Sequence, residues 1–234
     1  MTQPAPTPAA LEVRIPADDA WLYGDLTVPP AAVGLVLFAH GSGSGRHSAR
    51  NRQVARHLEQ AGVATLLFDL LTVKEEQVDT RTREHRFDIA LLTRRMQDAT
   101  AWVRSQSGSQ SESELRHLPV GYFGASTGSA AALIAAARLG DAVAAVVSRG
   151  GRPDLAGPAA LAAVTAPTLL IVGGADHGVI ELNQEAYRRL ACHKGMAVVP
   201  QATHLFEEPG ALEQVAEVAA SWFVKHMARA TQEA

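Results

Sequence analysis

Continuous apolar runs recur along this chain: Gly34–His40 (GLVLFAH), Val63–Asp69 (VATLLFD), Val120–Ala125 (VGYFGA), Ala144–Ser148 and Thr168–Gly173 (TLLIVG). Runs with no polar alternation suit strands buried on both faces. The segments between several of them carry helical spacing. Residues 48–61 place Val54, Leu58 and Ala61 on one side, with Gly62 as the stop, and Phe87–Val103 carries Ile89, Leu92, Met96, Ala99 and Val103. Thr127–Leu139 is an alanine-rich helix, and Glu181–Ala191 and Ala211–Met227 follow as further helices. Leu11–Pro16 and Trp21–Pro29 form a hairpin through Ala17-Asp18-Asp19-Ala20 at one sheet edge, and Met196–Pro200 adds a last strand. Strands alternating with helices imply βαβ crossovers. The expectation is an α/β, three-layer fold: a mostly parallel sheet of eight strands with about six helices on its two faces.

Composition removes other classes. A chain of 234 residues, 47% hydrophobic and 19% charged, is no disordered segment. The size scalings give about 10,000 Å² of folded surface against roughly 36,000 Å² unfolded, enough burial for one substantial core. Net charge is -3 with no Lys/Arg block, so no nucleic-acid partner is expected. The single cysteine, Cys192, excludes an internal disulfide and a multi-cysteine zinc site, and reads as a small semi-buried side chain. No apolar run approaches 18 residues, so no membrane span is expected. The start, MTQPAPTPAALEV, lacks the pattern of a signal peptide. The expectations are a cytoplasmic protein with a flexible proline-rich tail at 1–10 and a single domain over 11–234. SQSGSQSESE (105–114) reads as a surface loop, Lys74–Arg86 as a solvated loop, and Trp21, Trp102 and Trp222 as packing residues.

The chemistry-bearing motif is Gly124-Ala125-Ser126-Thr127-Gly128, a G-x-S-x-G sequence where the strand VGYFGA meets the helix TGSAAALIAAA. A sharp strand-to-helix turn holds such a serine exposed above the sheet, with helix N-terminal N–H groups nearby. A serine hydroxyl needs a base, and the base an orienting acid. Elbows of this kind take their partners in the chain order serine, acid, histidine. Asp176 lies just past the strand TLLIVG, where open α/β sheets place their sites. Asp154, in Arg152-Pro153-Asp154, is the alternative acid, although it could equally cap the short helix that follows. Of the histidines after Asp176, His177 adjoins the acid, His193 precedes its strand, and His226 belongs to the last helix as a solvated residue. His204, in Gln201-Ala202-Thr203-His204, alone has the strand-end position required of the base.

From GLVLFAHGSGSG through GASTG and IVGGADHGV to ATHLFEEPG, the chain resembles the α/β-hydrolase fold, specifically its small dienelactone-hydrolase-like branch. The resemblance implies Ser126 as nucleophile, Asp176 as acid and His204 as base. It also implies an oxyanion hole made by the backbone N–H groups of Ser42, after His40-Gly41, and of Thr127. The departure is at the nucleophile: dienelactone hydrolases proper use cysteine where this chain has Ser126. A serine esterase acting on small carboxylic esters or lactones is the implied activity. Neither metal nor cofactor is expected, and the chain would act as a monomer or homodimer.

Rival readings leave traces in the same residues. A dinucleotide-binding G-x-G-x-x-G starting at Gly41 needs glycine where Arg46 stands, and one starting at Gly43 needs it at Ser48. A peptidase or acyltransferase would use the same triad. A non-catalytic ligand-binding protein of this fold usually lacks a triad member. Arg149 and Arg152, after the strand ending at Ser148, are weaker candidates for contacting an acidic substrate; surface ion pairing is their bland role. The interval Gly151–Pro167 is too short for a lid domain, so short acyl groups are the expected substrates.

Overall fold

The computed structural model describes residues 9–18, 20–106 and 114–232. Most of the expected N-terminal tail, Asp19 of the hairpin turn and the core of the 105–114 loop lie outside them. The strands are β1 (Leu11–Ala17), β2 (Ala20–Thr27), β3 (Leu35–Ala39), β4 (Ala64–Phe68), β5 (Val120–Ala125), β6 (Val143–Arg149), β7 (Thr168–Gly173) and β8 (Lys194–Val199). They form one eight-stranded sheet in the order β1-β2-β4-β3-β5-β6-β7-β8. β1 pairs with β2, and β2 with β4, antiparallel; the remaining pairs are parallel.

The apolar runs alternate between two cores, as the period of two requires. Leu35 and Leu37 of β3, Tyr122 of β5 and Leu170 of β7 face one side. There they meet α3 (Ile89–Ser105), α4 (Thr127–Leu139), α5 (Gly157–Ala163) and α6 (Val179–Arg189). Val36, Phe38, Phe123 and Ile171 face the other side, under α1 (Ala49–Gln60) and α7 (Ala211–Gln232). Strands buried on both faces therefore carry no polar alternation. The chain runs from β3 outward to β4, then returns to place β5 on the other side of β3. That reversal opens a crevice at the carboxyl ends of β3 and β5, the usual ligand position in such sheets. Between β6 and β7 stand only a short 3₁₀ turn and α5, so no lid domain interrupts the sheet.

Three expectations change. The described residues hold seven α-helices rather than six, because Val73–Thr82 forms α2 instead of a solvated loop. Thr72 and Glu75 close a capping box at its start, a signature present in the sequence as T-x-x-E. Asp79 of α2 is buried and accepts from Arg86 Nε at 2.5 Å and from its backbone N–H at 2.9 Å. Burial opposes the charge on Asp79, yet these bonds and the adjacent guanidinium hold its carboxyl below the usual range. Trp21 is half exposed on the edge hairpin rather than packed. His226, expected in solvent, is buried against Trp222 at a ring separation of 4.4 Å. His193, from the segment before β8, also packs against it at 5.2 Å, a contact between distant segments that helical periodicity does not reveal.

Candidate active site

Ser126 has φ 50° and ψ -123°, a backbone region in which non-glycine residues are rare. The flanking glycines explain how the elbow holds that conformation. A Cβ on Gly124 would lie 2.4 Å from Ser129 Cα, and one on Gly128 would lie 2.2 Å from the Ala39 carbonyl oxygen. Three donors fix the Ser126 carbonyl: the N–H and hydroxyl of Ser129, at 3.1 and 2.7 Å, and the Arg152 N–H at 3.1 Å. The Ser126 N–H in turn donates to the Arg149 carbonyl at 3.2 Å. β5, β6 and α4 thus clamp one residue whose strain is offset by its neighbours.

The sequence-predicted trio comes together above this elbow. His204 Nε2 lies 3.3 Å from Ser126 Oγ, and His204 Nδ1 lies 2.8 Å from Asp176 Oδ2. A carboxylate only accepts, so Nδ1 carries the proton and leaves Nε2 free to take one from the serine. Asp176 is largely covered while the His204 side chain is 37% exposed, so the acid is shielded and the base reachable. Asp154 is engaged elsewhere: Arg152 Nε and Nη2 donate to its two oxygens at 2.8 Å each. Arg152 therefore turns toward Asp154 and does not line the cavity over Ser126.

Ser42 and Thr127 also meet, with a detail absent from the sequence. The Ser42 N–H donates to Thr127 Oγ1 at 3.1 Å, which ties the Gly-rich segment after β3 to the first residue of α4. His40, unremarked in the sequence except as a marker, anchors that segment from below. Its Nε2 accepts from the Leu70 N–H at 3.0 Å and its Nδ1 lies 2.9 Å from the Gly41 carbonyl. Burial pushes the His40 imidazole below its ordinary range, against the Gly41 carbonyl and the charge of Asp69, which act the other way. Arg86 lies close against the same loop, since a Cβ on Gly43 would stand 2.9 Å from Arg86 Nη1.

The cavity over Ser126 measures about 180 Å³ and is lined in part by Ser42, Arg50, Asn51, Arg149 and His204. It shares Ser44 and Ser48 with a second cavity of about 580 Å³, walled by Tyr23, Leu71 and Val73. Among the described residues, no group of three or more His, Cys, Asp or Glu side chains is placed to hold a metal ion. No described helix is long and apolar enough to cross a membrane.

Residues 32–232 match the family described as alpha/beta hydrolase domain. The chain belongs to the α/β-hydrolase family, in its dienelactone-hydrolase-like branch. A crystal structure of a dienelactone hydrolase from Anabaena variabilis is 54% identical, with a TM-score of 0.90, over 94% of this chain and 99% of that one. Est1E from Butyrivibrio proteoclasticus shares the fold at 16% identity and a TM-score of 0.74, over 93% of this chain and 99% of its own. Proteins from two strains of Mycobacterium tuberculosis, both named "Putative phosphoribosyl transferase", are 56% identical over 216 residues. That match takes in 92% of this chain and 46% of each of theirs, so the chain spans less than half of those longer proteins.

In this α/β hydrolase, Arg149 takes an unusual place. It ends β6 beside the elbow, is only 7% exposed, and lies over the Phe206 ring at 5.9 Å. Burial, helped by the nearby charge of Arg50, brings its guanidinium down to about 10. It stays protonated at neutral pH.

Proposed function

We propose that this α/β hydrolase is a serine hydrolase that cleaves small carboxylic esters or lactones through an acyl-enzyme. The observation that carries the reading is the Ser126–His204–Asp176 relay, with bond lengths of 3.3 and 2.8 Å, built on a serine at positive φ. Ser126 Oγ attacks the ester carbonyl while His204 Nε2 takes its proton, and Asp176 stabilises the imidazolium. The carbonyl oxygen becomes an oxyanion facing the N–H groups of Ser42 and Thr127, and Thr127, as the first residue of α4, has no intrahelical acceptor for its own. The Ser42 N–H exchanges its bond with Thr127 Oγ1 for one with the oxyanion. His204 then protonates the leaving alcohol, and a water deprotonated by the same imidazole releases the acid and restores Ser126. No cofactor takes part in this scheme.

The cavity over Ser126, about 180 Å³, adjoins the 580 Å³ cavity through Ser44 and Ser48, and together they offer room for a small-molecule substrate. The name of the longer Mycobacterium tuberculosis relatives points to phosphoribosyl transfer, but this chain corresponds to under half of each. The similarity of the Anabaena dienelactone hydrolase extends over nearly its whole length and favours hydrolysis for this part. The test is a panel of p-nitrophenyl esters from C2 to C16, assayed with Ser126→Ala as control and a fluorophosphonate probe for covalent labelling. Expected are labelling of Ser126, a loss of several powers of ten in Ser126→Ala, and highest kcat/KM at short acyl lengths. Wild-type turnover by Ser126→Ala would falsify the assignment.

A further inference from the structure

We infer that the cavity over Ser126 binds a tetrahedral dianion, held by Arg149, Arg50 and the N-terminus of α1, so that the ester this site cleaves carries a phosphate group. The inference rests on the hydrolytic reading for its substrate but not for its binding site.

Arg149 is 7% exposed, and its Nε and Nη1 have no partner. Its Nη2 reaches only Asn51 Oδ1, at 3.4 Å. A buried guanidinium with two idle donors is costly unless an anion meets it. Arg50 lines the same cavity; its Nε is also buried without a partner, while its Nη1 donates to the exposed Glu207 at 3.3 Å. No acidic residue is among those lining this cavity, so Arg149 has no carboxylate beside it there, and Arg50 is paired only at its Nη1, by the exposed Glu207. An anion there relieves both.

The helix supplies an independent reason. α1 begins at Ala49, directly after the Ser48 cap, and its first turn holds no acidic residue. Free N–H groups and the helix dipole favour negative charge at this end, yet the sequence places the cation Arg50 there. Glu207 meets one Nη of Arg50, while the Arg50 Nε is left without a partner. The shape follows from where donors come from: Arg149 from the end of β6, Arg50 and backbone N–H groups from α1, and the Ser44 and Ser48 hydroxyls from the loop. A planar carboxylate is satisfied by one arginine fork, whereas phosphate accepts from several directions and its charge matches two arginines.

The experiment is calorimetric titration of inorganic phosphate and of acetate into wild type, Ser126→Ala, Arg149→Met and Arg50→Gln at constant ionic strength. Expected is phosphate binding in wild type and Ser126→Ala alike, weaker by about 10- to 100-fold in each arginine variant. Acetate should bind at least about tenfold more weakly than phosphate. No phosphate binding, or equal affinity in wild type and both arginine variants, overturns the site. Tighter binding of acetate overturns the tetrahedral assignment. Arg149→Met keeps the buried volume apolar, and Arg50→Gln alters a partly exposed residue, so a folding defect in the first leaves the second to decide. Wild-type kcat/KM is then compared for an aryl ester whose acyl chain ends in phosphate and for its neutral dimethyl phosphate counterpart. A preference for the charged ester supports the inference, and equal rates overturn it. Hydrolysis of neither ester, with phosphate binding intact, would instead fault the hydrolytic reading.

Discussion

Gly128→Ala should damage this protein in two measurable ways. The added Cβ would sit 2.2 Å from the Ala39 carbonyl oxygen and 2.5 Å from that of His40, both backbone atoms at the end of β3. No rotamer change relieves a clash with backbone, so the strand end must move by about 1 Å to restore van der Waals distance. Overpacking of this kind costs about 3 kcal/mol, or roughly 6–12 °C in Tm for a chain of this size. The displaced residues lead directly to Ser42. A 1 Å misplacement of a catalytic group costs about 100-fold, and loss of an oxyanion donor a similar amount or more. Thermal unfolding and kcat on p-nitrophenyl acetate measure the two effects. Gly140→Ala is the comparison, because Gly140 has φ 52° and no atom within 4 Å of its would-be Cβ. It should lose about 1–3 kcal/mol from the backbone alone, since φ 52° with ψ -126° is sparsely populated by non-glycine residues, and keep its kcat. If Gly128→Ala retains the Tm and kcat of wild type, the close approach of elbow and strand does not position the oxyanion loop.

Three further outcomes follow from the site. Ser42→Ala should lower activity only modestly, whereas Ser42→Pro, which lacks the N–H, should lose about 100-fold or more; equal losses in folded variants would reject the backbone donor. Asp176→Asn should cost several powers of ten in kcat, and Asp154→Asn little, because Asp154 serves Arg152; the reverse ranking moves the acid to Asp154. Stability should fall as pH drops below about 6.5. There the unfolded chain protonates His40, while the folded state, which holds that imidazole below its ordinary range, does not. His40→Gln keeps an acceptor for the Leu70 N–H and should flatten that part of the profile. A constant difference in urea midpoint between wild type and His40→Gln from pH 8 to 5 would refute the linkage.

The strands, their burial on both faces and the elbow were legible in the chain because each is local. Runs such as GLVLFAH and TLLIVG exclude an exposed face, and a serine between glycines at a strand-to-helix junction has few other conformations. Chain order and strand-end position then pointed to His204 and, with Asp154 left as the alternative acid, to Asp176, although neither is near Ser126 in sequence; only the structure shows Asp154 taken up by Arg152. α2 was legible in principle, since Thr72 and Glu75 spell a capping box, but the charged residues around them mask it. What the sequence could not show are contacts between distant segments. Asp79 becomes buried only because Arg86 folds back on it beside the Gly-rich loop. Arg149 and Arg152 stand three residues apart with the same chemistry, and only packing separates them. Arg152 meets Asp154 in partial solvent, while Arg149, at the last position of a central strand, is driven under Phe206 toward Arg50 and Asn51 of α1. Burial and the identity of a charge's neighbours are properties of the assembled sheet, and they decide which arginine faces the serine.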